Sequence, residues 1–179
     1  MNSACSCAGM PTCVAHPSRN RLTAEMSNFD VVVVDCPPAL GLLCYSALTA
    51  CTEVVIPVQT RVMPLAGLVA LTQTIDTVKL RLNRRLRLSG VLCCQVDRRT
   101  ALSREIVDSL RERFGDVVME TMIRESVRVA EAPGHRLPVT LYAPDSTVAA
   151  DYRAAAAEFE ARSAADGQTQ ADGRLQRAR

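Results

Sequence analysis

The sequence predicts an α/β fold, a doubly wound and mostly parallel sheet with helices on both faces. Three observations predict it. Apolar runs of strand length alternate with longer stretches of helical periodicity. The runs are continuous and rich in β-branched residues, as in strands covered on both faces. Repeated alternation of this kind implies βαβ crossovers, which lay helices on both sides of a parallel sheet.

Residues 1–27 precede that pattern. Cys5, Cys7, Cys13 and His16 sit there among Ser, Ala, Gly and Pro without periodicity. Their C-x-C-x5-C-x2-H spacing is not that of a structural zinc site, so a disordered leader is expected. The first expected strand is Val31-Val32-Val33-Val34, broken by Pro37-Pro38, with a helix over 40–50 after it. Val54-Val55-Ile56 is the second strand, ended by Pro57. Pro64 suits the first turn of a long helix, whose apolar face reads Leu65, Leu68, Thr72, Ile75, Val78 and Leu82.

The third strand is GVLCCQV, Gly90 to Val96. Thr100 then caps a helix with Leu102, Ile106, Val107 and Leu110 inward, closed by Gly115. A fourth strand is expected over Val117 to Met122. Ser146 caps the last helix, which carries Val148, Tyr152, Ala155, Ala156 and Phe159. Residues 163–179 are polar and aperiodic and are expected to form a disordered tail, leaving one folded domain over 28–162.

Composition narrows the function. A net charge of +2, from 21 basic and 19 acidic residues, is too small for nucleic-acid binding by bulk charge; such a role needs local clustering. Aromatics are 3% with no Trp, so the core is aliphatic. The longest apolar runs are far short of a membrane span, and the N-terminus lacks a secretory layout, so a cytoplasmic protein without membrane contact is expected. Of eight cysteines, Cys36, Cys44, Cys51, Cys93 and Cys94 fall inside apolar patterns and read as reduced core thiols.

In doubly wound sheets, ligands bind beyond the carboxyl ends of the strands. Asp35 ends the valine run and is followed by Cys36-Pro37-Pro38. The pattern alone leaves two roles open: a holder of nucleotide-bound Mg²⁺, or a cap for the next helix. Arg98 and Arg99 follow the third strand, where they suit phosphates or a solvated turn. Arg124 and Arg128 follow the fourth, and Arg81, Arg84, Arg85 and Arg87 cluster before the third. His16 and His135, the two histidines, have no neighbouring nucleophile. Lys79 is the sole lysine and lies mid-helix with no glycines before it, so this sequence contains no G-x-x-x-x-G-K-[ST] phosphate loop.

Several segments together are more specific. Phe29-Asp30-Val-Val-Val-Val-Asp35-Cys-Pro-Pro-Ala-Leu-Gly-Leu-Leu resembles the Walker-B region of the ParA/Soj chromosome- and plasmid-partitioning ATPases, a P-loop NTPase-like family with a deviant Walker-A loop. The order continues through Ala47-Leu48-Thr49-Ala50, Val55-Ile56-Pro57-Val58-Gln59, Leu65-Ala66-Gly67-Leu68, Asp97-Arg98-Arg99-Thr100-Ala101-Leu102-Ser103 and Val127-Arg128-Val129-Ala130-Glu131-Ala132-Pro133, then Pro138 and Tyr142. The match spans about residues 28–160. The resemblance implies ATP and Mg²⁺ as cofactors, with Asp35 supporting the metal. It implies non-specific DNA binding, led by Arg99 with Arg98 second. A ParB-type centromere-binding partner, and a homodimer or a full-length homologue, complete the implied assembly on the nucleoid.

The family's KGGxGKT loop and DxDPQ segment have no counterpart here. Arg61 stands where many members have Glu, and Arg124 where many have Pro. The expectation is thus the C-terminal two-thirds of such an ATPase, lacking the P-loop strand and helix, unable to hydrolyse ATP alone and exposing the Asp35 strand as an edge. A non-enzymatic interaction module is the alternative. A MinD-like division-site ATPase fits less well, since 164–179 lacks the apolar spacing of a membrane helix.

Overall fold

The computed structural model of the protein describes residues 12–15, 29–36, 41–60 and 65–177. Five strands form one sheet: β1 (Thr12–Ala15), β2 (Val32–Asp35), β3 (Glu53–Gln59), β4 (Arg87–Val96) and β5 (Ile123–Arg124), in the order β2-β1-β3-β4-β5. β3, β4 and β5 pair in parallel, while β1 is antiparallel to both β2 and β3. β2 therefore points the same way as β3, and only β1 is reversed. The carboxyl ends of β2, β3, β4 and β5 share one edge.

Helices cover both faces, because successive strand residues point to opposite sides. Val54, Ile56 and Val58 of β3, with Val91 and Cys93 of β4, face one core. There they meet Cys44 and Leu48 of α1 (Leu42–Ala50), Leu68, Ile75 and Val78 of α2 (Leu65–Arg81), and Val107 and Leu110 of α3 (Ala101–Phe114). Leu92 and Cys94 face the other core, with Val139 of α5 (Val139–Tyr142) and Val148 and Ala155 of α6 (Thr147–Arg177). A short α4 (Val127–Glu131) precedes α5. Thr100 and Ser146 cap as expected: Ser103 N donates to Thr100 Oγ1 at 3.3 Å and Ala149 N to Ser146 Oγ at 3.2 Å.

The structure departs from the sequence reading in six places, the simplest being that β3 runs through Pro57 to Gln59, with Pro57 paired to Leu92, rather than ending at Pro57. First, the leader contains a strand. Thr12–Ala15 lies between β2 and β3, and its Cys13 is fully buried with its Sγ 3.6 Å from Cys36 Sγ. Cys5, Cys7 and His16 lie outside the described residues, and among the described residues no group of three or more His, Cys, Asp or Glu is arranged to hold a metal. The five cysteines read as core thiols are all buried and free. Second, among the described residues β2 is covered on one face only. Val32 and Val34 pack on the first core, but Val31 and Val33 are exposed, because the second core draws on β3, β4 and β5 and stops short of β2.

Third, the fourth strand is displaced. Gly115–Val117 is a 3₁₀ turn, Val118 makes a single bridge to Val91, and the ladder resumes only at Ile123. The Glu158 carboxylate accepts from Glu120 N and Thr121 N at 2.9 and 2.8 Å, taking amides that an unbroken strand would have given its neighbour. Fourth, Leu82 and Leu102 are exposed, and the buried stripe of α2 runs through Leu68, Leu71, Ile75 and Val78. Fifth, residues 163–177, read as a disordered tail, continue α6 to Arg177. Ala, Arg and Gln favour that continuation, and Ser163 Oγ anchors it by donating to Glu53 Oε2 at 2.7 Å.

Glu53 is the main buried charge. Its carboxylate also accepts from Ser89 Oγ at 2.8 Å and pairs with Arg87 Nη2 at 2.8 Å. Burial alone would raise its pKa. The donors Arg87, Ser163 and Ser89 outweigh that and hold it below the ordinary carboxylate value of 4.5.

Candidate functional site

The carboxyl edge of the sheet collects the residues singled out in the sequence. Asp35 ends β2 beside Thr12 of β1 and is exposed to solvent. It does not cap the next helix: α1 begins seven residues later, with Gly41 at its N-cap and no side-chain hydrogen bond there. Its carboxylate makes no hydrogen bond or ion pair to a described residue. An open carboxylate at a strand end is a hard oxygen donor, as Mg²⁺ requires. One such group suffices where water and phosphate oxygens complete the octahedron. The residues present therefore fit a Mg²⁺ position at Asp35. Among the described residues there is no phosphate cradle beside it, and Lys79 lies near the opposite end of α2, toward the amino edge of β4.

Arg98 and Arg99 occupy the turn after β4. The Arg99 guanidinium is clamped on Asp97, with Nε to Oδ1 at 3.0 Å and Nη2 to Oδ2 at 3.2 Å, while its own amide donates to Oδ1 at 3.0 Å. That hydrogen bond, with the Asp97 charge, raises the Arg99 pKa further above its already high value. Arg98 has no partner among the described residues, so it is the uncommitted cation of the pair. Arg124 is committed too: its Nε and Nη2 bond Asp151 at 2.7 and 2.8 Å and tie β5 to α6. Arg128 is held by Glu131 at 3.2 Å.

The structure does not bring these groups together at one point. β2 and β4 are separated by β1 and β3, or about 14 Å at the usual strand spacing. Between them lies a group the sequence reading missed. Thr60, fully buried just past β3, shares a 2.7 Å hydrogen bond with Ser103 Oγ of α3, and its Oγ1 donates to Gln95 O at 3.2 Å. Gln95 sits at φ 53°, where the β4–β5 register shifts. A non-glycine residue in that region is strained, and such kinks at strand ends re-aim side chains toward sites. The Thr100-x-x-Ser103 cap spacing was the available signal for Ser103; nothing in the sequence marked Gln95.

This arrangement defines an α/β protein of P-loop NTPase-like fold, with its candidate site on the carboxyl edge of the sheet. Solved structures agree. Cobyrinic acid a,c-diamide synthase from Mycobacterium smegmatis is 30% identical with a TM-score of 0.59, over 73% of this chain and 46% of that one. The same enzyme with bound ATP analog and magnesium is 34% identical with a TM-score of 0.52, over 56% of this chain and 40% of that one.

Sequence relatives are more specific. A family model described as an AAA domain matches residues 16–88. The sporulation initiation inhibitor protein Soj of Bacillus subtilis is 41% identical over 143 residues, 80% of this chain and 56% of that protein. The chromosome partitioning protein ParA of Caulobacter vibrioides is 40% identical over 126 residues, 69% of this chain and 47% of that protein. The chain belongs to the ParA/Soj family, and it spans about half the length of the curated relatives it matches.

Proposed function

We propose that the chain acts in DNA segregation as a ParA-like protein that does not hydrolyse ATP on its own. The observation that carries this reading is the 41% identity to Soj across 80% of the chain. Asp35 takes the Mg²⁺ of a bound ATP, and phosphate contacts beyond the described residues come from a full-length homologue in the assembly. Arg98 and Arg99 contact backbone phosphates of DNA without reading sequence; Arg98 is ready as it stands and Arg99 must leave Asp97. A ParB-type partner completes the assembly, and its place of work is the nucleoid in the cytoplasm. No helix among the described residues is long and apolar enough to cross a membrane.

Two assays test this. ATP turnover by the purified chain should be indistinguishable from background, with or without a chelator of Mg²⁺. Turnover that the chelator abolishes would overturn the non-hydrolysing part. Pull-down at low salt should recover a full-length homologue or the ParB-type partner; a folded sample that captures neither rules out the assembly. The second reading, an interaction module independent of nucleotide, is favoured by the open β2 edge and its exposed Val31 and Val33. Mg-ATP separates the two, because a ligand bound to the native state raises its melting temperature and an unused one leaves it unchanged.

A further inference from the structure

At the amino edge of the sheet, opposite Asp35, the second half of α2, the end of α3 and the start of β4 line an open cavity of about 510 Å³. Its cations come from three elements: Lys79 of α2, Arg113 of α3 and Arg87 of β4. Arg87 is engaged with Glu53 at 2.8 Å and serves as wall. Lys79 and Arg113 make no ion pair or hydrogen bond with a described residue. Ile75 and Phe114 supply an apolar floor, and Asp76 is the one acidic residue on the rim.

A simpler explanation for the two cations is the helix dipole. Lys79 and Arg113 lie in the last turns of α2 and α3, where positive charge faces the unsatisfied carbonyls. That accounts for a cation on each helix separately. It does not account for both lining a single cavity, against an apolar floor, in a chain whose only lysine is Lys79.

We propose that this cavity is a second ligand site, taking a small organic phosphate whose apolar body lies on Ile75 and Phe114 while its phosphate sits between Lys79 and Arg113. A phosphate monoester carries close to two negative charges, matching two cations, and the Arg fork suits its oxygens while the ammonium serves as a point charge. The volume is in the range of small-molecule sites. The site is separate from the nucleotide position at Asp35 and needs neither ATP nor Mg²⁺.

The test is calorimetric titration of the whole chain with 1-naphthyl phosphate at low salt. One-to-one saturable binding is expected, weakening as salt screens the exposed cations. Inorganic phosphate lacks the apolar body and 1-naphthol lacks the charge, so each should bind at least about tenfold more weakly. The Lys79→Ala/Arg113→Ala variant should lose about tenfold or more, and Asp76→Asn, which removes the opposing charge, should bind a few-fold tighter. No binding by the folded chain, equal binding of 1-naphthol, or binding unchanged in the double variant would each overturn the proposal. So would a double variant that loses only DNA retention, which would assign the cations to a nucleic-acid backbone. If the double variant does not fold, Asp76→Asn decides alone: tighter binding supports the site, and unchanged binding refutes it.

Discussion

At the β5 end of the sheet, charged side chains from α6 tie the layers together. Asp151 holds Arg124, Glu158 takes two backbone amides, and Arg162 reaches Asp116 O and Val118 O at 2.8 and 3.1 Å. At the β2 end the packing is aliphatic and thiol: Val32, Val34, Cys13, Cys36, Cys44 and Cys51. The neighbouring Cys51 thiol and burial raise the Cys13 pKa, while the Cys13 thiol lowers that of Cys51. One end is fixed by directional bonds that specify a geometry. The other relies on non-directional burial and leaves Val31, Val33, Leu42 and Leu43 in solvent. Asp35, the proposed Mg²⁺ position, lies at this second, open end.

The difference can be broken first at Glu53, which links α6 to the middle of the sheet. Glu53→Ala should lower the unfolding free energy by about 3 kcal/mol or more, since it strands a largely buried Arg87, measured by urea denaturation. The same group gives a pH signature. Its folded pKa is lowered, so its contribution is fully present above the ordinary value of 4.5 and is lost as pH falls through the lowered folded value. Glu53→Gln should remove that acid dependence from the melting temperature. Glu158 is also held below 4.5: burial opposes the charge, and the amides of Thr121 and Glu120 with Arg162 outweigh it. Glu158→Ala should cost about 1 to 3 kcal/mol by leaving two amides unpaired. Arg124→Ala should cost about 1 to 3 kcal/mol, because it leaves the largely buried Asp151 carboxylate with the Arg124 amide as its remaining donor among these contacts. At the open end, Val33→Lys should change stability by no more than about 0.5 kcal/mol yet reduce self-association through the β2 edge, read by light scattering.

Much of this was legible in the sequence, and unevenly. Long elements with clear periodicity, α2, β4 and α3, were found, as were the Thr100 and Ser146 caps and the core cysteines. Their signals are local: spacing, capping chemistry, continuous apolar runs. What escaped was decided by neighbours distant in sequence. β1 is four residues long, too short for a period, and it is defined by its neighbours β2 and β3. The break before β5 is imposed by Glu158, 37 residues beyond Thr121. At the site, Asp35 and the arginine turn were visible as residues at strand ends. That Arg99 is clamped while Arg98 is not depended on which guanidinium reached Asp97, and the twist at Gln95 on a backbone angle no residue type announced.

The most direct test of the proposed role is retardation of non-specific duplex DNA by the folded chain across a salt series. The chain should retard DNA at low salt and release it as salt rises. Arg98→Ala/Arg99→Ala should flatten the dependence of log affinity on log salt by about one unit for each phosphate no longer neutralised. A folded chain that leaves DNA unretarded at low salt, or a double variant with the same slope and affinity, would contradict the assignment of this turn to DNA.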